Sequence, residues 1–208
     1  LTRLVLATAN PHKVQEIAPL LEGAAVDLVP VGRLIDGWEV EEIGETLEGN
    51  AALKARAAVR ATGEAAVADD TGLFVDALDG GPGVRSSRYA GPGCSYADNV
   101  RKLLAAMTGV GEGSRGARFR SVVVLACPDG SRRVFEGVLE GGIATEPRGS
   151  GGFGYDPVFV LPDGSTIAEL SLEAKNRVSH RALAFTAFAA WLGSRETKPI
   201  CPCGPGMG

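Results

Sequence analysis

The chain has 208 residues, of which 45% are hydrophobic and 22% charged, and its formal net charge is −4. At about 150 residues per domain, that length suits one large domain or two joined lobes. The balance excludes a disordered or fibrous chain, and the mild acidity removes any global attraction for a polyanion such as DNA.

In chain order, Leu4 to Ala7 reads as a short buried strand leading into Thr8-Ala-Asn10-Pro11. Asn10 suits a helix N-cap and Pro11 the first helical position. The helix is expected over 11–22, kinked by Pro19 and ended by Gly23. A second strand follows at 25–31, and then the acidic stretch Glu39-Val-Glu-Glu-Ile-Gly-Glu45, too charged to be core. Thr46 is placed to cap a helix that runs to Ala61 and stops at Gly63. Ala65 to Ala68 reads as a third strand, terminating in Asp69-Asp70-Thr71-Gly72. A Gly/Pro-rich loop at 80–93 precedes a helix at 96–107. Strands at 118–126 and 133–139 flank the turn Pro128-Asp-Gly130 as a hairpin. A Gly-rich loop at 149–154, a strand at 158–161 and helices at 171–176 and 179–192 complete the pattern. The class is mixed α/β, with one domain over 1–194 and a flexible tail over 195–208.

The longest charge-free apolar stretch, 182–193, is shorter than the ~18–20 residues of a membrane helix, and no basic stripe marks a nucleic-acid module. Neither a membrane nor a nucleic acid is therefore expected as a partner. Cys94, Cys127, Cys201 and Cys203, with two histidines in the chain, do not make a Cys/His zinc pattern. With no secretory signal visible, a reduced cytoplasmic protein is the expectation.

Four clusters carry chemistry. Thr8-Ala9-Asn10-Pro11-His12-Lys13 lies between a strand and a helix start, where N–H groups and the helix dipole favour anions. Glu42 of the acidic stretch and Asp70 could together hold magnesium, which takes one or two carboxylates plus substrate phosphates. Side-chain alternation along a strand gives Asp69 and Asp70 different partners. In Gly151-Gly-Phe153-Gly154-Tyr155-Asp156, glycines allow close backbone approach while Phe153 and Tyr155 offer aromatic faces to a base or sugar. Lys175 and Ser179-His180-Arg181 form the fourth, with Ser179 placed to cap the last helix. Asn50 and Lys54 lie four apart, on one helix face. Each cluster taken singly also fits an ordinary cap, solvated loop or structural bend.

Taken in order, these stretches resemble the inosine triphosphate pyrophosphatase family, the RdgB-like dITP/XTP pyrophosphatases. The resemblance spans Leu4 to Leu192 and rests on Thr-x-Asn-x-x-Lys (8–13), Glu-x-Gly-x-Thr (42–46), Asn-Ala-x-x-Lys-Ala (50–55) and Ala-Asp-Asp-Thr-Gly-Leu (68–73). It continues through Pro-Gly-Val-x-Ser-x-Arg-Tyr-Ala-Gly (82–91), Gly-Gly-Phe-Gly-Tyr-Asp-Pro (151–157) and Ser-His-Arg (179–181). The chain departs from the family pattern at Leu47 and Gly49, where Phe and Glu are common, so the Glu that completes a capping box from Thr46 is missing.

The resemblance implies magnesium-dependent hydrolysis of ITP, dITP or XTP to the monophosphate and pyrophosphate by a homodimer with a long twisted sheet and two lobes flanking a cleft. It implies Glu42 and Asp70 as metal ligands, with Asp70 also the proton acceptor. Substrate contacts are implied at Thr8, Ala9, Asn10, Pro11, His12, Lys13, Lys54, Thr71, Phe153, Gly154, Tyr155, Asp156, Lys175, His180 and Arg181. Lys13, Lys54 and Lys175 are expected to neutralise charge on the leaving pyrophosphate, Phe153 to stack on the purine and Arg181 to read its 6-keto oxygen. The rival readings are a pyrophosphatase for other modified nucleotides and a catalytically silent nucleotide-binding module.

Overall fold

The computed structural model describes residues 2–195 and 199–201. Its strands are β1 (Thr2–Leu6), β2 (Val26–Pro30), β3 (Ala66–Val75), β4 (Pro82–Gly83), β5 (Gly116–Ala126), β6 (Arg132–Ile143) and β7 (Phe159–Val160). The helices are α1 (Pro11–Leu20), α2 (Leu47–Thr62), α3 (Tyr96–Ala106), α4 (Leu172–Val178) and α5 (His180–Gly193). The strands pair in the order β2-β1-β3-β5-β6-β7, with β4 also on β3. The mixed α/β class expected from the sequence is what forms. The chain divides into two compact units, one of Leu1–Asp70, Val122–Gly137 and Ala182–Gly208, the other of Thr71–Ser121 and Val138–Arg181.

In the first unit, β1 runs parallel to β2 and to β3, which requires crossover connections that α1 and α2 provide. Leu4, Leu6 and Val67 join Ile17 of α1 and Phe185 and Phe188 of α5 in one apolar cluster. Burying each phenylalanine contributes about 1.5–3 kcal/mol. The alternate residues Val5, Ala66 and Ala68 are buried as well, so this part of the sheet is covered on both faces. Two of the caps read from the sequence form: Asn10 accepts from His12 N–H at 3.0 Å and Thr46 from Gly49 N–H at 3.0 Å. Helix α2 ends at Gly63, whose φ of 74° is left-handed. Helix α1 stops at Leu20 rather than at 22, so Pro19 falls in its last turn.

The second unit packs Leu73, Val75, Leu103, Met107, Phe119 and Phe159 around Tyr155. Helix α3 starts with a capping box between Ser95 and Asp98.

Three expectations are corrected. Strand β3 does not stop at Asp69 but continues through Asp70, Thr71 and Gly72 to Val75. Gly72 permits this: the Gly83 carbonyl of β4 lies 2.7 Å from where a Cβ would stand. The thiols are not all reduced, because Cys127 at the end of β5 is disulfide-bonded to Cys201. The segment beyond α5 is not wholly loose either, since Ile200 is buried in the first unit's apolar cluster. Cys203 and the rest of the expected tail at 196–198 and 202–208 lie outside the described residues. Among the described residues, no helix is long and apolar enough to cross a membrane.

Candidate active site

Helix α2 projects Asn50 and Lys54 from one face, and in the first unit both are buried against Asp70 of β3. The Lys54 ammonium lies 2.6 Å from Glu42 Oε1 and 3.0 Å from Asp70 Oδ1. The two acids, 28 positions apart in sequence, thus meet on one cation. Asn50 donates to Asp70 Oδ2 at 3.2 Å and accepts from Gly44 N–H at 2.8 Å.

Asp69 takes a different partner, as strand alternation requires: Lys13 of α1 lies 3.0 Å from its Oδ2 and donates to its backbone oxygen. Thr8 Oγ1 accepts from Asn10 N–H at 3.2 Å, shaping the turn into α1, while Ala9, Pro11 and His12 are exposed.

Burial and charge compete here. For Asp70, burial is the largest influence and holds the carboxyl above its ordinary value, against the pull of Lys54 and Lys13. For Lys54, burial opposes the charge, yet Asp70, Glu42 and Asp69 together keep the ammonium above its ordinary value. Lys54 therefore gives up its proton less readily than an ordinary lysine, and Asp70 holds one more readily than an ordinary carboxyl.

In the second unit, Asp156 organises the Gly-rich loop. Its Oδ2 accepts from Phe153 N–H at 2.8 Å and pairs with the buried Lys175 of α4. The half-buried Phe153 ring has the Lys175 ammonium 5.0 Å and the Arg181 guanidinium 5.5 Å from its centroid. Arg181 also donates to Thr71 Oγ1 at 3.2 Å, and Thr71 in turn to Ser121 Oγ at 3.3 Å. His180 stacks on Phe119 with ring centroids 4.5 Å apart. Only glycine fits at 152, where φ is +70° and a Cβ would sit 2.0 Å from Asp156 Oδ2. Gly154, also left-handed at φ 68°, lets the loop turn back toward Asp156.

Two expectations change. Tyr155 is not an open aromatic face: it is 5% exposed, and its hydroxyl donates to the Ser86 carbonyl at 2.8 Å. Lys175, grouped by sequence with Lys13 and Lys54, is instead paired with Asp156 beside Phe153.

The Ham1 family model matches residues 4–191. The chain belongs to the Ham1 family. Among similar Ham1-type proteins, the dITP/XTP pyrophosphatase of Symbiobacterium thermophilum is 52% identical over 88% of this chain and 90% of that protein. The dITP/XTP pyrophosphatase of Geobacter sulfurreducens is 49% identical over 93% and 98%. A HAM1 protein structure from Coxiella burnetii superposes with a TM-score of 0.85 at 38% identity, covering 93% of this chain and all of that one.

Two residues that contact these side chains were not assigned to a site from the sequence, Asn50 in the first unit and Ser121 in the second. Asn50 stood out as a polar group one turn before Lys54 and as the first residue of the Asn-Ala-x-x-Lys-Ala stretch, with no role assigned to it. Ser121 lies inside an apolar strand and had no such signal.

Proposed function

We propose that this chain is a nucleoside-triphosphate pyrophosphatase that hydrolyses ITP, dITP and XTP to the monophosphate and pyrophosphate. The observation that carries the reading is the buried Lys54 ammonium held between Glu42 and Asp70. A silent binding module has no need of two carboxylates gathered at that expense of burial.

Magnesium fits this donor set. Glu42 and Asp70 offer hard oxygen ligands, and among the described residues no group of three acids, histidines or cysteines forms a closed cage. That suits an ion held by one or two carboxylates and completed by substrate phosphates. When bound there, magnesium supplies charge neutralisation and a more acidic water.

The chain's own residues do the rest. Asp70 orients a water toward the α-phosphorus and accepts its proton. The water oxygen forms the new P–O bond, and the bond from the α-phosphorus to the bridging oxygen breaks as pyrophosphate leaves with the electron pair. Lys54 and Lys13 offset the charge gathering on the phosphates, and the N–H groups at the start of α1 add to this. Such electrostatic positioning is the main source of rate in phosphoryl chemistry.

Base selection falls to Phe153, whose ring stacks on the purine, and to Arg181, whose donors meet a 6-keto oxygen. Asp156 and Lys175 fix the Phe153 loop. A 6-amino group leaves such donors opposed, at about 1–3 kcal/mol each. The assembly is a homodimer acting in the cytoplasm.

Pyrophosphate release from ITP, XTP, dITP, GTP and ATP, each with and without magnesium, tests the reading. ITP, dITP and XTP are expected to turn over at least about tenfold faster than ATP, one such donor mismatch. Release should also stop when magnesium is chelated. Equal rates on ATP and ITP, or release unaffected by chelation, contradict it.

A further inference from the structure

Asn50 is completely buried and is not among the residues proposed above to hold metal or substrate. Its side-chain amide has two ends with different work. The oxygen accepts from the Gly44 N–H at 2.8 Å, which fixes the amide's orientation because a backbone N–H can only donate. The nitrogen must then face Asp70 Oδ2, to which it donates at 3.2 Å. Gly44 lies two residues after Glu42 in the acidic stretch. One side chain therefore ties the loop carrying Glu42 to the strand carrying Asp70.

The two oxygens of Asp70 are also assigned separately. Oδ1 takes Lys54 and Oδ2 takes Asn50, donors one helical turn apart on α2. A carboxylate held at both oxygens cannot rotate about its Cβ–Cγ bond without losing one donor. Position 44 is fitted to the arrangement: a Cβ there would meet Asn50 Oδ1 at 2.6 Å, so only glycine lets the loop come this close.

We infer that Asn50 is a positioning residue, setting the plane of the Asp70 carboxylate and its separation from the Glu42 loop. The inference rests on the reading above that Asp70 and Glu42 serve hydrolysis. Hydrogen-bond partners behind ligating carboxylates are worth about 10–100-fold in activity or metal affinity. The effect belongs in kcat, because Asn50 acts on the orientation of Asp70 and leaves the base-reading residues alone.

Steady-state hydrolysis of ITP by wild type, Asn50→Ala and Asn50→Asp, with thermal melts of each, tests this. Asn50→Asp keeps an oxygen for Gly44 N–H and so keeps the loop pinned, but it replaces the donor facing Asp70 with a second oxygen. Both variants are expected to lose about 10–100-fold in kcat with KM changed less than about threefold. If Asn50→Ala does not fold, Asn50→Asp decides. An Asn50→Asp enzyme with kcat within about threefold of wild type would reduce Asn50 to a loop pin and overturn the inference. Wild type run in the same series tests the underlying reading by itself: an inactive wild type contradicts that reading, whereas an active wild type with an unimpaired Asn50→Asp contradicts the inference alone.

Discussion

Asp70→Asn is expected to lower kcat for ITP hydrolysis by about a thousandfold, while the protein stays folded at neutral pH. The substitution keeps the shape but removes the charge, the proton-accepting oxygen and one carboxylate ligand. It also inverts one hydrogen bond. Asp70 receives Lys54 at Oδ1 and Asn50 at Oδ2, so whichever way an asparagine amide is turned, its NH₂ opposes a donor. Stability should respond far less than activity. Burial holds the Asp70 carboxyl above its ordinary value of 3.8, so the folded state binds this proton more tightly than the unfolded one. The group's contribution to stability is therefore full below the ordinary value and is lost as pH rises through the raised one. The asparagine variant should lack that decline, which thermal melts from acidic to neutral pH will reveal. Turnover within tenfold of wild type would remove Asp70 from catalysis.

Asp156→Ala is expected to be the most damaging single change in the second unit, lowering stability by about 3–5 kcal/mol. Asp156 is 2% exposed and Lys175 3%, so the truncation leaves a buried ammonium without its carboxylate. It also removes the acceptor that anchors Phe153 N–H. The two consequences can be separated. Adding Lys175→Met replaces the stranded charge with an apolar chain of similar length and should recover most of the stability. It should not recover activity, because the Phe153 loop still lacks its anchor. Urea denaturation and ITP turnover of the single and double variants provide the comparison. Recovery of both stability and turnover in the double variant would mean that the anchor does not matter for base binding.

Much of the framework is legible in the sequence, and the reasons are local. Asn10 and Thr46 precede runs of helix formers and cap them; Gly63 ends α2 because it can adopt positive φ. What was hidden depends on distant residues. Asp-Asp-Thr-Gly has the composition of a turn, yet in β3 the two aspartates stay within a strand because Lys13 and Lys54 compensate their burial. The Cys127–Cys201 bridge spans 74 positions and leaves no mark on local spacing. Tyr155 looked like a second open ring beside Phe153, but only the loop's path sends one ring into the core. The four chemical clusters were legible as motifs; what each lysine is paired with was not. Lys13 and Lys54 hold separate aspartates of one strand, while Lys175 serves Asp156.

Hydrolysis as proposed requires Glu42 and Asp70 to act together on a divalent ion and a polyphosphate. Titration of Mn²⁺ into the protein with a non-hydrolysable ITP analogue, followed by electron paramagnetic resonance, addresses this directly. Wild type should bind the ion tightly only with the analogue present, and both Glu42→Gln and Asp70→Asn should weaken that binding at least about tenfold. Ion binding equal to wild type in both variants would contradict the assignment.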